Sequence, residues 1–140
     1  GMGYTYGGHP VSCAVALETL KIYEERNILD HVRSVAPYFQ ERLAEFGASR
    51  IVGEARGVGL IGALELVMDK STRDQYPPEI KAGAQVAASA LAKGLIVRAL
   101  PGDVIGICPP LIITKEQIDE LFDALALAVN ETENLLTKAA

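Results

Sequence analysis

At Ile51 the hydrophobic period of this chain changes. Before it, Ile28, Val32, Val35, Phe39, Leu43 and Phe46 recur at steps of three and four, which is the stripe of an amphipathic helix. After it the apolar residues alternate: Val58, Leu60, Leu64 and Leu66 share one parity, and Gly59, Ile61, Ala63 and Val67 the other. A strand apolar on both faces belongs inside a sheet, not at its edge. The alternation predicts a short strand at Ile51-Val52, a turn at Gly53 to Gly57 and a long central strand from Val58. The glycines at 57, 59 and 62 mark a bulge or the close approach of another backbone.

The rest of the chain fills in around that sheet. Asn27 is placed to cap the second helix and Gly47 to close it, with a kink expected at Pro37. A polar loop from Met68 to Pro78 leads to a helix over Glu79 to Lys93, closed by Gly94. Leu95 to Ala99 and Val104 to Cys108 are β-prone runs joined by Leu100-Pro101-Gly102-Asp103, which has hairpin turn chemistry. Thr114 with Gln117 three residues on forms a capping box for a last helix, whose buried stripe is Ile118, Leu121, Phe122, Leu125, Val129 and Leu136. The order predicts an α+β fold: a small antiparallel sheet of about three or four strands with helices mainly on one face, preceded by a long apolar helix. Residues 1–140 read as a single domain, divided into a loop segment (1–10), a first helix (10–26) and the sandwich (27–140).

Charge and hydropathy exclude some partners. A formal net charge of -5 and a pI near 5.0, with no basic cluster, argue against a nucleic-acid surface and an anionic membrane surface. The longest apolar run, Val58 to Met68, is interrupted by Glu65 and falls short of the roughly 18 to 20 residues that span a bilayer. No secretory pattern or myristoylation motif is present, and a cytoplasmic location is expected. Cys13 and Cys108 fit no metal spacing and are expected to be buried free thiols. His31 is expected to be solvated. Gly1 ahead of Met2 reads as a tag-cleavage scar.

The segment most suited to chemistry is Gly1 to Pro10, where glycines surround Thr5 immediately ahead of an apolar helix. Pro10 suits the first turn of that helix. Val11, Cys13, Ala14, Val15, Ala16, Leu17 and Leu20 leave it almost no polar face, so another subunit or domain should cover part of it. Glycines and free N–H groups ahead of a helix suit an anion, with the Thr5 hydroxyl as a further donor; more often such segments only shape a turn. Tyr4 and Tyr6 either pack a ligand or line a core. Arg98 is the charged residue most out of place, in the apolar run Leu95-Ile96-Val97. It is an edge residue or a partner of Asp103, or else a planar fork for a carboxylate. No metal cluster, carboxylate pair or Ser-His-Asp arrangement stands out, and no lysine is placed as a buried nucleophile.

These residues also carry a resemblance. Gly3-Tyr4-Thr5-Tyr6-Gly7-Gly8-His9-Pro10 resembles the Gly-aromatic-Thr-Tyr-Ser-Gly-His-Pro segment of class III, pyridoxal-phosphate-dependent aminotransferases. Arg56-Gly57-Val58-Gly59-Leu60 is similar to their Arg-Gly-x-Gly-Leu strand. Gly94-Leu95-Ile96-Val97-Arg98 and Pro109-Pro110-Leu111-Ile112-Ile113-Thr114 resemble the end of their small domain. The likeness covers the whole chain and is nearest to the ω-amino acid:pyruvate transaminases. It implies the small domain of a fold-type I enzyme. It further implies that Thr5, with the Tyr4 backbone, binds the phosphate of pyridoxal 5'-phosphate in the partner subunit of a homodimer. Arg98 would hold the substrate carboxylate and swing away for an amine that lacks one. Gly7 departs from the family, which has serine there. The family's Schiff-base lysine and the aspartate on the pyridine nitrogen lie upstream of the matching motif, so no catalytic residue is assigned in this chain. The implied function is that of a C-terminal fragment of an aminotransferase, inactive alone and completed by an upstream large domain. The alternative is a non-catalytic, self-associating module.

Overall fold

A computed structural model describes residues 3–139; the tag-scar expectation for Gly1 and Met2 lies outside them. Four helices and four strands follow one another: α1 (Pro10–Glu25), α2 (Ile28–Glu45), a single 3-10 turn (Phe46–Ala48), β1 (Val52–Val58), β2 (Ile61–Leu66), α3 (Ala82–Ala92), β3 (Arg98–Leu100), β4 (Val104–Ile107) and α4 (Lys115–Ala139). The strands form one antiparallel sheet in the order β1-β2-β4-β3. The fold is α+β, as the period change at Ile51 indicates.

Cross-strand register divides the sheet into two faces. Leu64 pairs with Ile105 and Gly62 with Ile107, and these face the helices, where Phe39, Leu43, Phe122 and Leu125 complete the core. Phe122 sits at its centre, with ring centroids 5.0 Å from Phe39 and 5.8 Å from Phe46. Each such fully buried side chain contributes roughly 1.5–3 kcal/mol. The stripe expected of the last helix is in place, with Ile118, Phe122, Leu125 and Val129 buried and Leu121 and Leu136 packed against the core.

Its capping box is formed too. Thr114 N–H donates to Gln117 Oε1 at 3.1 Å, and Gln117 N–H to Thr114 Oγ1 at 3.3 Å. Gly94, at φ 81, closes α3, and Leu95 N–H reaches back to the Ala90 carbonyl at 3.0 Å.

Several expectations are corrected. The turn does not lie at Gly53 to Gly57, which belong to β1, but at Gly59-Leu60, so the long strand expected from Val58 is the hairpin turn followed by β2. Gly59 takes φ 59, which a side chain resists, and Leu60 is buried although it lies in the turn. The register irregularity falls between Val52 and Glu54. Gly57 does mark the close approach of a backbone, since a Cβ there would lie 2.4 Å from the Ile61 carbonyl oxygen; at Gly62 the close neighbour is a side chain, with Leu43 Cδ2 2.9 Å from a Cβ built there. Strand β3 begins only at Arg98. Helix α3 starts at Ala82, after Lys81 in the left-handed region, not at Glu79. Asn27 also takes a left-handed conformation (φ 49) and makes no side-chain cap; its backbone ends α1 and starts α2.

Three side chains differ from expectation in their surroundings. His31 is part-buried and donates from Nε2 to the Ile113 carbonyl at 2.9 Å. Cys13 and Cys108 are exposed, not buried: Cys13 rides on α1, and Cys108 follows the end of β4. No residue of α1 is buried; Leu17 is 68 % and Leu20 62 % exposed. Residues 27–139 do not provide the cover that its apolar sequence calls for. No helix is long and apolar enough to cross a membrane among the described residues.

Candidate functional site

Thr5 lies in the turn that delivers the chain to α1. Gly7 N–H donates to the Tyr4 carbonyl at 2.9 Å and His9 N–H to the Tyr6 carbonyl at 3.1 Å, while Gly8 takes φ 78. His9, at the N-cap, makes no side-chain cap, Pro10 opens the helix, and its first turn holds no acidic residue. The first-turn N–H groups and the exposed Thr5 hydroxyl therefore stand at the positive end of a helix. That suits an anion. Tyr4 and Tyr6 are exposed and line no core. A Cβ at Gly7 would come 3.2 Å from the Tyr4 carbonyl oxygen, so a serine there would require the turn to yield by a few tenths of an ångström.

Arg98 is positioned by the sheet. Arg56 pairs with Ala63, Ala63 with Gly106, and Gly106 with Arg98, so one row crosses all four strands on the face away from the helices. Directly opposed residues share a face. The two arginines stand at the ends of this row, with the two small residues between them. Arg56 is engaged, donating to Glu65 at 2.7 Å and to Glu54 at 3.1 Å, and these carboxylates hold its pKa above the usual arginine value against the opposing effect of burial. Arg98 is exposed and has no ion pair or hydrogen-bonding partner among the described residues. The expected alternative partner, Asp103, is taken: its Oδ1 accepts from Gly83 N–H at 2.8 Å.

No hydrogen bond or ion pair joins Thr5 to Arg98 within this chain, and neither lines the cavities of about 430, 340 and 330 Å3. The Thr5 turn offers a hydroxyl and backbone donors, yet no lysine or arginine occurs between residues 3 and 14. It fits the phosphate end of a cofactor in part. No group of three or more His, Cys, Asp or Glu is arranged for a metal among the described residues. Lys93 lines the largest of the three cavities, but its Nζ is held by Glu131 at 2.6 Å and Ser89 at 3.3 Å.

The family model for class-III aminotransferases matches residues 1–129. The chain belongs to the class-III aminotransferase family. Gamma aminobutyrate transaminase 3, chloroplastic, of Solanum lycopersicum is 50 % identical over 132 residues, covering 94 % of this chain and 25 % of the relative. The omega-transferase of Vibrio fluvialis JS17 superposes with a TM-score of 0.90 at 36 % identity, over 100 % of this chain and 33 % of that structure. A PLP-bound mutant aminotransferase of Vibrio fluvialis, 36 % identical, gives 0.87 over 94 % of this chain and 29 % of that one. Pyridoxal phosphate is thus a cofactor of the aminotransferase family. This class-III chain spans about a quarter of the length of the curated relatives it matches.

Sequence reasoning singled out Thr5 and Arg98 and missed two polar arrangements of this aminotransferase chain: Arg42 with Asp119 and Asp123, and the surroundings of Arg50 and Tyr76. Both join residues some 26 to 87 positions apart, and no local pattern announces either.

Proposed function

We propose that this chain is the small-domain part of a pyridoxal-phosphate-dependent aminotransferase that moves an amino group from an amine or ω-amino acid to a 2-oxo acid such as pyruvate. Thr5 and the Tyr4 backbone take the cofactor phosphate of a partner subunit, and Arg98 takes the substrate carboxylate. The observation that carries this reading is the unpaired Arg98 guanidinium at the end of the cross-strand row, which leaves its planar fork available for two parallel bonds to a carboxylate. When bound, the cofactor supplies the electron sink of amino transfer. This chain's residues bind and orient. No lysine here is proposed to carry the chemistry, so the chain alone is proposed to be inactive. A cytoplasmic location is part of the proposal, rests on the sequence, and is tested by fractionation.

The test is reconstitution. The chain is mixed with pyridoxal phosphate, alone and together with the separately expressed remainder of a class-III relative, and transfer to pyruvate is measured. The expected result is turnover only in the mixture. There, Thr5→Ala weakens cofactor binding about tenfold, as loss of one hydrogen bond to a charged group implies. Arg98→Ala raises KM for a carboxylate-bearing donor at least about tenfold while sparing an amine without one. Turnover by the chain alone, with a borohydride-reducible adduct on one of its lysines, would overturn the proposal.

One observation favours a second reading, a self-associating module without catalysis: the exposed apolar surface of α1. Sedimentation distinguishes it, because a strict monomer across the micromolar range excludes association through α1.

A further inference from the structure

A recess remote in sequence from Thr5 and Arg98 has its own chemistry. Between the residues leading into β1, the loop 68–81 and the end of α4 lies a cavity of about 340 Å3, with apolar walls from Ile51, Met68, Ile80 and Leu136. Arg50, Tyr76, Pro77 and Thr137 complete it, the Thr137 hydroxyl donating to the Glu133 carbonyl at 2.8 Å. Arg50 is the one charged side chain lining this cavity among the described residues, and it has neither a hydrogen bond nor an ion pair there. The acids near Tyr76 are engaged elsewhere: Glu133 accepts from Ser49 Oγ at 3.0 Å, and Asp103 accepts from Gly83 N–H. Tyr76 is half-buried, and its hydroxyl has no hydrogen-bonding partner among the described residues. Burial, then the charge of Glu133, raises its pKa above the usual phenol value against the pull of Arg50, so it remains a donor at neutral pH.

We propose that this cavity binds a small amphipathic carboxylate, its apolar body against Ile51, Met68, Ile80 and Leu136 and its carboxylate on Arg50, with the Tyr76 hydroxyl as a second donor. An apolar recess with a few convergent polar groups is the ordinary form of a small-molecule site. The sign of the ligand follows from the engaged acids and the unengaged guanidinium. A carboxylate follows from the single planar fork, which matches two coplanar oxygens. The site is independent of the aminotransferase reading.

The experiment is an NMR titration of the 140-residue chain with phenylacetate, and with benzyl alcohol as a neutral probe of similar size. Phenylacetate is expected to give saturable shifts confined to residues 50–51, 68, 76–80 and 136–137. Arg50→Gln should weaken phenylacetate by about fivefold or more, as loss of a charge-assisted bond implies, and leave benzyl alcohol within about twofold. Tyr76→Phe should weaken phenylacetate by a smaller factor while keeping the recess filled. Non-saturating shifts, or shifts scattered over other surface cations such as Arg33 and Lys115, would overturn the site. Equal phenylacetate affinity in the parent chain and the Arg50→Gln variant would overturn the assignment of a carboxylate.

Discussion

Arg42 joins two helices through one side chain. From α2 it reaches Asp119 and Asp123 of α4 as well as Glu45, and its guanidinium lies 5.9 Å from the centre of the Phe122 ring. Tyr38 O–H donates to Asp119 at 2.5 Å. Burial pulls the arginine pKa down, but the bonds to Asp123 and Tyr38 and the charges of Glu45 and Asp119 leave it above the usual value. Arg42 side-chain exposure is 16 %, whereas that of Asp119 is 42 %. Water can therefore rescue the acids once the arginine is gone. Arg42→Ala is expected to cost about 2 kcal/mol in urea unfolding, less than a fully buried pair would lose. At the α3–α4 contact the relevant change is acid. Lys93, then Ser89, holds the Glu131 carboxyl below the usual glutamate value. A depressed folded pKa stabilises above the unfolded pKa, and that contribution is lost as pH falls through the folded value. Unfolding midpoints measured from pH 6 downward should therefore fall less steeply in Glu131→Gln than in the parent chain.

At the level of elements, the β1–β2 hairpin depends on the absence of side chains at Gly53, Gly57 and Gly62, the last two of which differ in what a Cβ would meet. A Cβ at Gly57 would meet the Ile61 backbone carbonyl, which cannot move without breaking the ladder, whereas one at Gly62 would meet the ends of Leu43 and Phe39. Gly57→Ala is thus expected to cost about 2–3 kcal/mol and Gly62→Ala about 1 kcal/mol, in that order by denaturant unfolding. The same hairpin shows where the sequence misleads. Its turn residue Leu60 is buried, so alternation runs on from Val58 through the turn without a polar break, and the turn and β2 together read as one long strand. Local chemistry was legible where donor and acceptor are three residues apart, as at Thr114 and Gln117. It was illegible where the partner is remote: Ile113 for His31, Gly83 for Asp103. Arg98 was legible as a charge out of place in an apolar run and Thr5 as a hydroxyl among glycines ahead of a helix; the row that sets Arg98 at the end of the open sheet face requires the register of three strand pairs.

Taken whole, the molecule has two parts with different dependence on burial. Residues 27–139 share a core, while α1 contributes no buried residue to it. An isolated helix of 16 residues is marginal in water, so without a partner α1 should open alone. Hydrogen exchange at low micromolar concentration is expected to label α1 amides within about seconds to minutes, while amides of Phe39, Leu64 and Phe122 await unfolding of the whole core. Equal protection in α1 and α2 at that dilution would show that the helix is held independently of any partner. The chain thus runs on two clocks. Whatever surface settles on α1 slows the faster one and leaves the slower unchanged, so the exchange rate of a single helix serves as a gauge of assembly.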